Sequence, residues 1–535
     1  MLKRGIIVLV LVTTVVLPFL LRPARESPAQ ADDTVVIISP HNEAIRHEFT
    51  LGFRAWYKQR TGRTAFVDWR NVGGTSEIAR YLEGEFVASF RNLWTRQGKP
   101  WSAEIQSGFT NGRLPAAAPD IVKEARAAFL ASQATSGIDL FFGGGPYDFE
   151  RQERAGRLAD SGLAQLHPDW FTPETFPRAF SGDTYRGDLW FGAVLSSYGI
   201  LFNRDALQRL GIEHEPSQWS DLADPRFVGQ IGLCDPTKSG SINAAFENVI
   251  QQQIHRRVDA LAPSDDPKAA RAAAVRAGWI DGLRLLQLVG ANARYFTDTS
   301  QKPPIDVAAG DCAAGMCIDF YGREQEEAVR RRDPDSHRLG YAQPVGGAAY
   351  SVDPIALLRG APHPEAARAF MEYTLSLEGQ KLWNFRPGTP GGPRDFALRR
   401  LPVRKDFYGH AEWTTDRSDP TVDPYSQSAS LVYHGEWTGA LFSEIAFVIR
   451  VATEDTHPEL TSAWRAIIRA PEPARSRALA VLQDLSAVDY DQSMGPITKA
   501  LTSKNLVDAV GLSRDLDAVF RRNYQRAERI AAGGE

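Results

Sequence analysis

The chain has 535 residues, 43% of them hydrophobic and 24% charged, which is a globular composition with room for roughly two or three domains. Its formal charge is −4, without a basic tail or zinc-finger spacing, so the electrostatic footprint of a nucleic-acid binder is missing.

The N-terminus reads as a targeting segment. Lys3 and Arg4 precede residues 5–21, which are uncharged and apolar, and Ala29-Gln30-Ala31 forms an A-x-A-like cleavage pattern before Asp32. Residues 1–31 are expected to be a cleaved signal peptide or an uncleaved signal anchor. The apolar run is slightly short of the ~20 residues that span a bilayer. Both readings place the body of the chain outside the cytoplasm, periplasmic or extracytoplasmic. The three cysteines are Cys234, Cys312 and Cys317. An oxidising compartment permits one disulfide and leaves one thiol over, and buried unpaired thiols are the other reading; the pairing stays open.

In chain order, residues 34–40 (TVVIISP) are a short β-branched run, a buried strand that ends at Pro40-His41-Asn42. Ile45, Phe49, Phe53 and Trp56 follow at helical spacing. A second strand over 64–72 leads into the turn Gly73-Gly74-Thr75-Ser76 and another helix. Residues 85–130 are a polar insertion dotted with aromatics, to which no chemistry is assigned. A third strand over 138–146 ends in Gly143-Gly144-Gly145. Strand, helix, strand, helix predicts a parallel sheet with helical crossovers, whose ligands bind beyond the carboxyl ends of the strands. Residues 190–207 are apolar and strand-like, suited to carry the chain between lobes. Residues 310–323 read as a helix end, a strand, then an exposed Asp319-Phe320-Tyr321. From about 430 to 535 the apolar spacing is helical throughout.

The most informative stretch is LCDPTKSGSINAAFENVI, residues 233–250. An apolar strand ends at Asp235-Pro236. Thr237, Lys238, Ser239, Gly240 and Ser241 follow, small and rich in donors, and a helix starts. Free N–H groups at a helix N-terminus together with hydroxyls make an anion site, although a serine there also serves as a simple N-cap. The Gly74-Thr75-Ser76 turn repeats that logic. Thr297-Asp298-Thr299-Ser300 is a third polar patch. His41, Asp319 and Tyr321 each follow a strand and together offer a hard-cation site of N and O ligands. Catalytic signatures are missing: there is no Gly-x-Ser-x-Gly, no His-Glu-x-x-His and no phosphate-binding Gly-x-x-x-x-Gly-Lys motif.

Several stretches, in order, carry a family resemblance: VVIISPHNEAIRHEF, VGGTSEIARYL, IDLFFGGGP, SSYGILFNRDAL, WSDLADPRFVGQIGLCDPTKSGS, ANARYFTDTSQKPPIDVAAGDCAAGMCIDFY and DPIALLRGAPHPEAARAFMEYTLSLEGQKLW. Over residues 34–405 the chain resembles the extracellular solute-binding proteins of ABC importers, in the group similar to periplasmic ferric-iron-binding and small-anion-binding proteins. The resemblance implies an α/β, two-lobed periplasmic-binding-protein type II fold with a helical C-terminal extension. Lobe 1 would hold 33–197 and 343–405, lobe 2 would hold 198–342, and the extension 430–535. It implies a ligand site in the interlobe cleft built from His41, Gly74, Thr75, Ser76, Gly144, Ser197, Thr237, Ser239, Gly240, Ser241, Thr297, Thr299, Asp319 and Tyr321. Iron-binding relatives typically use a His after the first strand, a carboxylate after the third and paired tyrosines. Here His41 matches, glycines stand at the carboxylate position, and Phe320-Tyr321 keeps one tyrosine of two. The expected ligand is therefore a small, phosphate-bearing or similar organic anion, with no metal and no cofactor. The alternative is Fe3+ held by His41 and Tyr321, with Asp319 or Glu77 as a substitute carboxylate. The expected partner is an ABC permease in the cytoplasmic membrane, the expected state a monomer, and no bond chemistry is expected; an extracytoplasmic hydrolase and a ligand sensor are the lesser readings.

Overall fold

A computed structural model of the chain describes residues 31–426, 430–503 and 505–534, together with positions 14 and 17. The leader expected over residues 1–31 lies almost wholly outside the described residues. No described helix is long and apolar enough to cross a membrane.

Among the described residues there are fourteen strands: β1 (Asp33–Ile38), β2 (Ala65–Arg70), β3 (Leu140–Phe142), β4 (Leu158–Ala159), β5 (Ala179–Phe180), β6 (Asp183–Thr184), β7 (Trp190–Ser196), β8 (Tyr198–Asn203), β9 (Ile231–Cys234), β10 (Ala293–Thr297), β11 (Ala314–Ile318), β12 (Leu339–Ala342), β13 (Ser351–Leu358) and β14 (Leu401–Pro402). They build two main sheets. The first has the order β14-β7-β13-β3-β1-β2, with β4 added to β13; the second has the order β10-β9-β11-β8-β12. β1, β2 and β3 run parallel, as the strand–helix alternation predicts, and β13 and β7 then add antiparallel. The sheet is mixed because the chain returns to it from the second sheet.

The two sheets are joined at one residue on the outward pass. β7 pairs within the first sheet and β8 within the second, and only Ser197 separates them. The return runs from β12 to β13. At the crossing, Ser197 Oγ donates to the Ala349 carbonyl at 2.9 Å and accepts from Gln343 Nε2 at 3.0 Å. Ser197 is fully buried in this joint. Its place is structural and not on the cleft wall, which corrects its assignment as a ligand residue.

The helices follow from apolar spacing and local caps. In α1 (Glu43–Thr61) the Asn42 side chain accepts from the Ile45 N–H, Ile45, Phe49 and Phe53 face the sheet, and Gly62 ends the helix at φ 72°. In α2 (Thr75–Arg96) the series Ile78, Leu82, Phe86, Phe90 and Trp94 is buried at four-residue spacing. The aromatic insertion folds onto this helix. Phe109 stacks on Phe90 at 4.8 Å and Phe129, in α4 (Asp120–Ala131) after the short α3 (Ala103–Gly108), meets both edge-on. α5 (Pro146–Ala155) follows the three glycines.

The second sheet carries α6 (Gly240–Asp259), α7 (Pro267–Ala291), α8 (Lys302–Ala309) and α9 (Asp319–Arg332). The C-terminal region is helical, as expected, and packs on α7. Trp279 Nε1 donates to the Val488 carbonyl at 3.0 Å, Gln287 Nε2 reaches the Leu482 carbonyl and Tyr524 Oη, and Trp464 Nε1 reaches Asn292 Oδ1 at 2.9 Å. Trp279, Leu286, Ile449, Leu460, Phe520 and Tyr524 share one apolar core with the second sheet. Cys234, Cys312 and Cys317 are all buried free thiols, so the one possible disulfide is not formed.

Candidate functional site in the interlobe cleft

The loops that leave the carboxyl ends of β1, β2, β3, β9, β10 and β11 converge on a single cleft of about 610 Å³ between the two sheets. From the first sheet come His41, the Gly73–Thr75 turn and the Gly144–Asp148 turn. From the second come Lys238–Ser241, Asp298–Gln301 and Phe320-Tyr321.

Of the residues predicted from sequence, His41, Gly74, Thr75, Gly144, Ser239, Gly240, Ser241, Thr299 and Tyr321 line this cleft. Ser76, Thr237, Thr297 and Asp319, like Ser197, stand outside its wall. Thr237 is spent locally: its N–H and hydroxyl both bond Asp235 Oδ1 at 2.7 Å, the turn that shapes the loop. Thr297 turns its hydroxyl to the Thr299 carbonyl at 2.9 Å. Asp319 is not exposed, as the sequence suggested, but 1% accessible. It opens α9, accepts from its neighbour's N–H and pairs with Arg323 at 2.7 Å. Glu77, the other substitute carboxylate, pairs with Arg80.

Among the described residues, helix N-termini from both sheets meet at the cleft, those of α2, α5, α6, α8 and α9. α2 and α5 start at Gly74 and Gly145 without a side-chain cap, and α6 starts at Ser239, whose Oγ accepts from the Ile242 N–H at 3.4 Å. The capping role of Ser239 is thus real, and Gly240 and Ser241 beside it still face the cavity. N–H groups at such termini carry partial positive charge and bind anions.

Arg400, from the segment before β14, is the cation of this end. It is 1% accessible. Its guanidinium bonds Asp353 Oδ2 at 2.6 Å and Ser196 Oγ, lies over the Phe320 ring at 4.5 Å, and approaches His41 Nε2 at 3.5 Å. His41 Nε2 also meets Asp353 Oδ2 at 3.2 Å. Burial pushes the His41 imidazole below its ordinary range, against the pull of Asp353, so it is neutral at pH 7. Burial alone would raise Asp353, but Arg400 and the bond from His41 hold it below the usual carboxylate range. Burial pushes the Tyr321 phenol well up.

Two of the three glycines after β3 have no room for a carboxylate; Gly145, at φ −132°, has open space. Gly143 has φ 95°, and a Cβ on it would lie 2.8 Å from the His41 ring; one on Gly144 would lie 2.6 Å from the Thr75 methyl. The loop is pressed against its neighbours too closely for any side chain at either position.

The cleft is shut across its width. A Cβ on Gly74, from the first sheet, would lie 2.4 Å from the Lys238 carbonyl oxygen of the second. One on Gly240 would lie 3.7 Å from Asp148 Oδ2. The side of the cleft away from His41 is walled by residues 433–442. Tyr433 N–H donates to the Ser181 carbonyl at 2.8 Å, Tyr433 Oη to Glu247 at 2.9 Å, and the Phe442 ring lies 4.8 Å from Tyr147.

Arg400, Asp353, Asp148, Asp183, Glu247 and Tyr433 were missed by sequence reasoning. Glu247 and Asp353 lie in stretches that were singled out, but neither side chain stands at a turn or helix start there; the others lie in stretches without motif character. The charged pair Arg399-Arg400 after a glycine-rich loop is a signal that could have pointed to one of them. Among the described residues, His47, Glu48 and Asp395 are the only group with metal-ligand proximity. There Glu48 is already satisfied by the N–H groups of Arg394, Asp395 and Phe396 at 2.6–2.8 Å.

Residues 139–399 match the profile of the bacterial extracellular solute-binding proteins. Among curated relatives, a protein of Haemophilus influenzae without assigned function is 24% identical over 244 residues, 46% of this chain and 60% of that one. The phosphoglycerate transport regulatory protein PgtC of Salmonella typhimurium is 23% identical over 189 residues, 35% of this chain and 39% of that one. The aligned parts span less than two thirds of these relatives. Among solved structures, AfuA of Actinobacillus pleuropneumoniae with bound fructose-6-phosphate is 15% identical with TM-score 0.41, covering 72% of this chain and 99% of that one. Iron-bound HitA of Pseudomonas aeruginosa is 14% identical with TM-score 0.42, covering 78% and 99%.

Proposed function

We propose that this chain, whose residues 139–399 match the bacterial extracellular solute-binding proteins, captures a small organic anion in the interlobe cleft and delivers it to an ABC permease. One observation carries the reading: helix N-termini from both sheets and the buried Arg400 guanidinium face the same cavity. Such a constellation solvates negative charge with fixed dipoles and one cation. The name of a curated relative concerns transport of phosphoglycerate, a phosphate-bearing anion, which supports the ligand class.

Ferric iron fits the same residues poorly. Fe3+ favours anionic oxygen donors. His41 Nε2 is held by Asp353 and Arg400, a guanidinium stands where a metal would need negative charge, and Tyr321 is buried with its phenol stabilised in the neutral form. The binding cycle is open lobes, anion capture, and closure at Gly74 against Lys238. The chain is read as a binder, working as a monomer.

A native mass spectrum of freshly purified protein, set against its denatured mass, tests this. A metal-free excess matching a small organic anion is the expected result. An excess matching iron would overturn it and make ligands of His41 and Tyr321.

A further inference from the structure

The cleft carries charges of both signs. Arg400, His41, Lys238 and the start of α2 line it. So do Asp183, Glu150 and Glu247, the last bonded to Tyr433 of the 433–442 wall, and Asp148 lies beside Gly240. Glu247 and Glu150 both act electrostatically on Asp183 and push its carboxyl up, after burial itself, to about 7. Among the described residues no lysine or arginine forms a direct ion pair with Asp148, Asp183, Glu150 or Glu247; Arg151 and Arg154 act on Asp148 and Glu150 only from a distance. Glu247 is satisfied only by the hydroxyls of Tyr433 and Thr438.

A second observation points to a ligand there. Asp148 is 8% accessible, lines the cavity, and has no hydrogen-bond partner for its carboxylate among the described residues. A buried carboxylate is costly unless it is paired. The cleft wall here is aromatic: Tyr147 and Phe442 pack at a tilt, and Tyr433 joins them from the C-terminal extension, beyond the residues that match the family. Aromatic faces and carboxylates together are the surroundings an organic ammonium prefers.

We infer that the ligand is a zwitterion, an anion joined to an amine, and that Asp148, Asp183 and Glu247, closed in by Tyr433 and Phe442 of the C-terminal extension, form its ammonium subsite. The inference rests on the anion reading and adds the second charge. It also assigns the extension a role in selectivity: its 433–442 segment builds the part of the pocket that reads the amine.

Isothermal titration of the purified protein, stripped of retained ligand by unfolding and refolding, with two matched pairs tests both layers. The pairs are glucosamine 6-phosphate against glucose 6-phosphate, and 2-aminoethyl phosphate against 2-hydroxyethyl phosphate. In a pair that binds, the amine member should be at least tenfold tighter. In Asp148→Asn/Asp183→Asn, near-isosteric changes checked by thermal melting, the two members should come within twofold of each other. Equal binding, tighter binding of the hydroxyl member, or a preference that survives the double variant overturns the ammonium subsite and leaves the anion reading standing. Failure of all four phosphates to bind overturns the anion reading and this inference with it.

Discussion

Gly74→Ala isolates lobe closure from folding. Gly74 has φ −73° and ψ 179°, a conformation open to alanine, so the backbone itself is not strained by the change. The added Cβ would lie 2.4 Å from the Lys238 carbonyl oxygen, whereas real Cβ contacts essentially never fall under 3.0 Å. The sheets must therefore part by at least 0.6 Å at this point. Overpacking of this size against backbone costs about 1–3 kcal/mol. That cost falls on the closed state alone, because Gly74 and Lys238 belong to different sheets. Ligand affinity should then drop about 5- to 150-fold, while the melting temperature of the ligand-free protein stays within about 1–2 °C of the parent. Calorimetry with whichever phosphate probe binds the parent gives the first number and differential scanning fluorimetry the second. Unchanged affinity would show that this contact is not made in the bound state. A large loss of ligand-free stability would show that the contact is part of the fold and not of closure.

Further outcomes follow from the same geometry. Arg400→Met should destabilise the protein by about 3–5 kcal/mol, because the largely buried Asp353 carboxylate loses its cation and keeps only the His41 contact, and adding Asp353→Asn should recover part of this in denaturant melts. Burial raises Asp148 to about 6 in the folded state. Its folded value exceeds its unfolded one, so its contribution is present below about pH 4 and lost as pH rises through 6. Relative to Asp148→Asn, the ligand-free parent should lose about 1.5 kcal/mol between pH 5 and pH 8; an unchanged difference would mean the carboxylate is solvated. Ferric citrate titrated into the stripped protein should give no visible tyrosinate band, and a band that disappears in Tyr321→Phe would sink the preference for an anion over iron.

Much of the fold was written in local pattern. The β-branched run of β1, the Asn42 cap and the Ile45-Phe49-Phe53 series announce their elements, and the strand–helix alternation announces three parallel strands. The anion-binding turns were legible because helix starts rich in glycine and hydroxyl residues need no distant partner. The rest of the site depends on tertiary pairing. Ser197 has the residue type of a ligand contact, yet sits in the joint between sheets, and Thr237 and Thr297 spend their hydroxyls on neighbouring backbone or side chains. Asp319 looks exposed after a strand but is drawn inward by Arg323. Arg400 and Asp353, far apart in sequence, acquire meaning only when β13 and the segment before β14 bring them to His41. Glu247 reads as an ordinary helix residue until Tyr433 reaches it from beyond the family-matched region.

The shared core between the second sheet and the C-terminal helices sets a limit on how this protein can be trimmed. A fragment ending near residue 405 would keep both sheets and the two crossings. It would also uncover Trp279, Leu286 and their neighbours on α7 and cut the bonds from Trp279 and Gln287 to the tail. Such a bared indole-and-leucine face seeks other surfaces. The family-sized piece of this chain is accordingly a sticky remnant, not a minimal domain, and tags or fusions belong at its termini, outside that boundary.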